Sequence, residues 1–94
     1  MFTWLNNQGV KSDKGFIVQS VDRFVIRYSE ATGYIDLSVE PGINGSKNMV
    51  YVYEDEFHKW NDGRNISEKK KQQIVNNFTQ AMEFQNIDVE VIIE

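Results

Sequence analysis

The chain has no cysteine, a single histidine (His58), a single proline (Pro41) and no glycine-rich phosphate loop. Each absence removes a class of chemistry. Without cysteine there are no disulfides and no thiolate metal sites, which suits a reducing compartment. With one imidazole, a zinc centre built from several Cys or His ligands is out of reach. No stretch approaches the roughly 18 apolar residues of a membrane-spanning helix. The opening Met1-Phe2-Thr3-Trp4-Leu5-Asn6-Asn7 lacks the basic start and apolar run of a secretion signal. The expectation is a cytoplasmic protein with no cofactor and no metal. Its 94 residues suffice for a single domain, 1–94, and are too few for two cores.

Positive charge is also scarce. Ten Lys and Arg face fourteen Asp and Glu, for a formal net charge of −4. The acidity is concentrated between Glu30 and Asp62, where seven carboxylates meet two lysines (Lys47 and Lys59). Sequence-independent binding to DNA or RNA relies on cations displacing phosphate counterions, so this balance argues against nucleic acid as a partner. It argues equally against anionic membrane surfaces. It favours a positively charged protein partner, because complementary fields speed encounter. Solubility alone would also account for the charge.

What is present is a pattern of strands followed by a helix and a strand. Phe16-Ile17-Val18-Gln19-Ser20-Val21 reads as a strand after Gly15, and Asp22-Arg23 as a turn into Phe24–Tyr28, with Phe24, Ile26 and Tyr28 on one face. From Tyr34 to Glu40 the chain alternates, Ile35, Leu37 and Val39 against Tyr34, Asp36, Ser38 and Glu40, as a strand with one wet face requires. Pro41 to Lys47 reads as a loop, and Asn48–Tyr53 as a fourth strand. Asp55 is placed to cap a short helix, about 55–60, with Phe57 and Trp60 on one side and Gly63 ending it.

Ser67 is an N-cap for a long amphipathic helix, about 67–85, with Ile74, Phe78, Ala81 and Met82 as its core stripe and Lys69, Lys70 and Lys71 on a solvated start. Asn86 ends that helix and Ile87–Ile93 forms a last strand. The spacing therefore predicts an α+β fold: a single antiparallel-dominated sheet of about five strands with the long helix packed on one face.

Chemistry-bearing clusters are few. His58 lies near Glu54, Asp55 and Asp62, as a carboxylate-oriented general base would, but no nucleophile motif accompanies it. Asn61-Asp62-Gly63-Arg64-Asn65 shares the glycine of a calcium loop yet places an arginine among the ligand positions, and a helix-ending turn accounts for it. Glu54-Asp55-Glu56 is the sharpest local feature. Three carboxylates at a helix start complement the dipole, and they would equally serve as an anionic recognition patch beside the aromatic residues Tyr53, Phe57 and Trp60. Asp36 and Glu40 add a second acidic row on the wet strand face, where Met49, Tyr51 and Tyr53 would join them if the third and fourth strands pair.

Trp4-Leu5 with Gly9, Gly15-Phe16 entering a strand, Arg27-Tyr28-x-Glu30, Phe57-x-x-Trp60-x-x-Gly63 and Ala81-Met82-x-Phe84 together carry a resemblance over the whole chain. The chain resembles the small acidic immunity proteins of bacterial polymorphic-toxin systems, including contact-dependent growth inhibition. The resemblance implies a non-enzymatic cytosolic protein that binds and neutralises one cognate toxin domain, with a nuclease among the toxins it would fit. It supplies no catalytic motif and no conserved contact residues. The residues expected to meet the partner are therefore those of the acidic patches: Glu54, Asp55, Glu56 and Asp62, then Asp36 and Glu40. Three other readings are open: a nucleic-acid mimic or regulatory adaptor for a basic host protein, a small enzyme centred on His58, and a subunit that completes its sheet through an exposed edge.

Overall fold

In the computed structural model, which describes residues 1–93, apolar residues alternating along successive short strands build one seven-stranded mixed sheet with a helix on one face. The strands are β1 (Phe2–Asn6), β2 (Gly9–Ser12), β3 (Ile17–Asp22), β4 (Val25–Glu30), β5 (Gly33–Asn44), β6 (Lys47–Tyr53) and β7 (Ile87–Ile92). Their spatial order is their chain order, β1 to β7. β1 to β6 form an antiparallel meander. β7 then runs parallel to β6, which requires a crossover, and α1 (Glu68–Phe84) supplies it.

The helix forms where caps and periodicity agree. The Ser67 hydroxyl accepts from the Lys70 amide at 3.2 Å, satisfying one of the unpaired donors of the first turn. At the other end Asn86 takes a left-handed φ of 63°, one of the few conformations that lets the chain turn directly into β7. Ile74, Phe78, Ala81 and Met82 are buried against the sheet, facing Val18, Ile26, Tyr28, Leu37 and Val52. Phe57 and Phe78 meet edge to face at 6.0 Å, as do Phe16 and Tyr28 at 5.6 Å. Tyr28 is fully buried and its hydroxyl is satisfied twice, donating to Glu30 and accepting from Asn77 at 3.1 Å. Lys70 closes this bridge between β4 and α1 by pairing with Glu30 at 2.8 Å.

β5 organises the sheet. Its first half, Gly33 to Ser38, pairs with β4, and its second half, Val39 to Asn44, pairs with β6. The segment from Pro41 to Asn44, expected as loop, is therefore strand, and only Gly45-Ser46 turns. Proline is tolerated here because the Val39 amide already donates toward β4, to Phe24 at 2.9 Å. The nitrogen of Pro41 points the same way, beyond the end of β4, where no partner strand needs a donor.

Four further differences from the sequence reading have physical causes. The N-terminal strands β1 and β2 form a hairpin around Asn7-Gln8, where the Asn6 side chain accepts from the Gln8 amide at 2.8 Å, so the sheet has seven strands rather than about five. Phe24 lies just before β4 and is 47% exposed, since the ladder with β3 is bulged between Ser20 and Asp22 and ends at Val25. The short helix is a single 3₁₀ turn, Glu54–Phe57, with no side-chain cap from Asp55. Lys71, expected on a solvated start, has a side chain only 8% exposed and pairs with Glu54 at 2.6 Å and Glu68 at 3.0 Å.

Candidate functional site

One face of the sheet carries α1 and the core; among the described residues no helix lies over the other. Alternation sets which side chains line this open face. On β5 they are Tyr34, Asp36, Ser38, Glu40 and Gly42, the residues between the buried Ile35, Leu37 and Val39. Register brings their neighbours. Glu40 stands opposite Tyr51 of β6, and Tyr51 stands opposite Glu90 of β7, so one tyrosine is flanked by two carboxylates. Gly42 stands opposite Met49 and Met49 opposite Asp88.

Tyr51 is held in place by the absence of a side chain beside it. A Cβ at Gly42 would meet Tyr51 Cε2 at 2.7 Å and Met49 Cγ at 3.3 Å, so the ring lies across the glycine. Toward β4 the face opens into a groove of about 420 Å³ walled by Phe24, Val25, Tyr51 and Tyr53, with Glu40 and Glu56 at its lip. The groove lies where β5 passes from β4 to β6 as pairing partner. The Arg23 guanidinium already lies over the Phe24 ring, 5.1 Å from its centre, which leaves Tyr51 and Tyr53 as the aromatic walls of the groove with no cation over them among the described residues.

The carboxylates expected to meet a partner divide into structural and free groups. Asp36 binds Arg27 with both oxygens, at 2.7 and 3.1 Å, and the same guanidinium covers the Tyr34 ring at 4.1 Å. Glu54 accepts from the buried Lys71. Glu56 turns toward the sheet and accepts from the Ser38 amide at 2.9 Å, closing a stretch of β5 edge that β6 does not reach. Asp62 accepts from the Arg64 amide at 3.1 Å and its Nε at 2.6 Å. That amide, then the guanidinium, hold its carboxyl below the ordinary carboxylate range. Arg64 also donates to the Thr32 carbonyl, so Asp62 orients a clasp between two loops.

Among the described residues, Asp55 and Glu40 have no hydrogen-bond or ion-pair partner. They are not adjacent: Glu40 belongs to the open face, Asp55 to the 3₁₀ turn. Glu90 is likewise exposed and unpaired, and it belongs with Glu40 through Tyr51. Sequence reasoning missed it, though parity held the signal: with Val89 and Val91 inward, Glu90 must face outward.

His58 is exposed beside Glu54 and Asp55 in a shallow depression completed by Ile92 and Ile93. No serine, threonine or cysteine lines that depression. Among the described residues no three His, Cys, Asp or Glu side chains converge as metal ligands, and no helix is long and apolar enough to cross a membrane. What the open face can do chemically is hold a cation: aromatic rings present their negative faces, and unpaired carboxylates stand beside them. No protein-family model matches the chain, and no curated protein or solved structure matches it.

Proposed function

We propose that the chain is a binding protein that receives a basic protein partner on the open face of its sheet, and that the partner is a toxin domain which it neutralises, in the manner of an immunity protein. The observation that carries this reading is the Glu40–Tyr51–Glu90 row beside the Phe24–Tyr53 groove. A lysine or arginine of the partner seats between the rings and meets Glu40, combining cation–π contact with a charge-assisted hydrogen bond. Tyr51 and Tyr53 are the anchors, of the type that dominates interface energetics, and the free carboxylates steer approach. The acidic balance of the chain fits a partner whose own site is basic, as a nucleic-acid-cleaving toxin requires.

Co-expression with the product of the gene immediately upstream, where this reading places the toxin, tests it. Survival of the cells and a stable complex on co-purification are the expected results. Death of the cells with both proteins folded and no complex would sink the pairing. If the complex forms, Tyr51→Ala is expected to weaken it by about 2 kcal/mol or more, the range of an interface hot spot.

A further inference from the structure

The sheet ends in two edges, β1 and β7. β1 is interrupted by a register shift between Trp4 and Asn6, and a bulge of this kind twists an edge away from further pairing. β7 carries no such protection. Its six residues pair with β6 in unbroken register, and it contains neither proline nor lysine. Among the described residues no backbone hydrogen bond from another element reaches its outer side. A regular edge rich in Val and Ile is a template for strand addition.

Both flanks of this edge are already shaped for alternating side chains. On the helix side a groove of about 460 Å³ runs between β7 and α1, walled by Val75, Thr79, Val91 and Ile93. Ile93 is 76% exposed there. Lys71 lines the same groove, its charge taken up by Glu54 and Glu68. On the open side the edge presents Asp88 and Glu90. Lys47 pairs with Asp88 at 2.8 Å, which leaves the Glu90 carboxylate without a cation.

We propose that the outer edge of β7 accepts an extended segment of a protein partner as an eighth strand, with apolar side chains filling the β7–α1 groove and a lysine or arginine on the opposite side meeting Glu90. A second copy of this chain is disfavoured in the registers that pair most of β7. Two β7 strands paired antiparallel about a two-fold axis set Glu90 against Glu90 when centred on Glu90, and Asp88 against Glu90 when centred on Val89. Like charges in direct opposition destabilise a strand pair. The inference goes beyond the open-face reading and holds whether or not the partner is a toxin.

The test uses the whole chain and synthetic peptides of about nine residues alternating lysine and valine, a length that covers one strand. Amide shifts and hydrogen-exchange protection are followed by NMR. Binding with new protection of the β7 amides not donated to β6 is expected, together with loss of binding when the peptide is N-methylated along the pairing edge. Glu90→Lys is expected to weaken the lysine peptide about tenfold and to favour a glutamate–valine peptide. Thr79→Arg, which fills the groove and leaves the open face untouched, is expected to weaken the lysine peptide by a similar factor. Absence of β7 protection at about 1 mM peptide, a threshold for weak binding, overturns the proposal. Equal binding of the N-methylated peptide, or β7 protection from self-association of the free protein, overturns it too. Because no toxin is present, failure here leaves the open-face reading standing, and failed rescue of cells leaves this one standing.

Discussion

Gly42 shapes the open face and Tyr28 the core beneath the helix. Gly42 is the space into which Tyr51 lies, so Gly42→Ala is expected to push the ring off β5 while changing stability by less than about 1 kcal/mol, the span of strand propensities. A shift of the Tyr51 ring resonances with little change in Tm checks this. Tyr28 is the buried counterpart. Burial first, and then its hydrogen bond to Glu30, push its phenol well above the ordinary value of 10.0. The neutral form is thus favoured in the folded state, and the stability this gives is complete below pH 10.0 and lost as pH rises above it. Tyr28→Phe is expected to cost about 1–2 kcal/mol at neutral pH, by leaving Asn77 and Glu30 short of a partner, and to flatten the alkaline loss. Urea unfolding at pH 7 and pH 11 reads both effects. Lys71 shows how a residue's role can be legible and still be misread. It lies three residues before Ile74 and seven before Phe78, on the buried stripe by helical period, yet its charge and the neighbouring lysines suggest solvent. Glu54, seventeen positions away, reverses that expectation.

At the scale of elements, the helix and the alternating first half of β5 follow from local pattern because cap, period and burial agree there. Ser67→Ala is expected to destabilise the chain by about 1 kcal/mol, the ordinary worth of an N-cap, while Phe78→Ala should cost about 3–5 kcal/mol through the cavity it opens beneath the sheet. Comparison of the two unfolding midpoints checks the ratio. The second half of β5 could not be read in the same way. Pro41 and Gly42 carry turn chemistry, and only the end of β4 and the Tyr51 ring, both tertiary, make strand the better state. Glu56 is similar: nothing local says that a third consecutive acid turns inward to the Ser38 amide. The position of β7 beside β6, and with it the meeting of Glu90 and Tyr51, is set by the crossover of α1, a contact distant in sequence.

For the whole molecule, charge is distributed in two ways. Asp62, Glu68 and Asp88 are held below their ordinary values by Arg64, Lys71 and Lys47 respectively. A depressed folded value contributes stability that is present above the unfolded value and lost as pH falls through the folded one. Stability should therefore begin to fall as pH drops through the ordinary values of 4.5 and 3.8, modestly because these pairs are exposed, and a pH series of thermal melts would show it. Among the described residues Glu40, Asp55 and Glu90 take no part in such pairs, and the proposed reading assigns them to a partner. Salt should accordingly slow association more than it lowers stability. The most direct measurement is the Kd of the proposed partner, a purified basic toxin domain, for the native chain and for Tyr51→Ala, with Tm recorded for both. A loss of about thirtyfold with Tm unchanged is the predicted result, the equivalent of a hot-spot side chain. An affinity unchanged within about twofold would place the partner elsewhere and contradict the open face as the binding site.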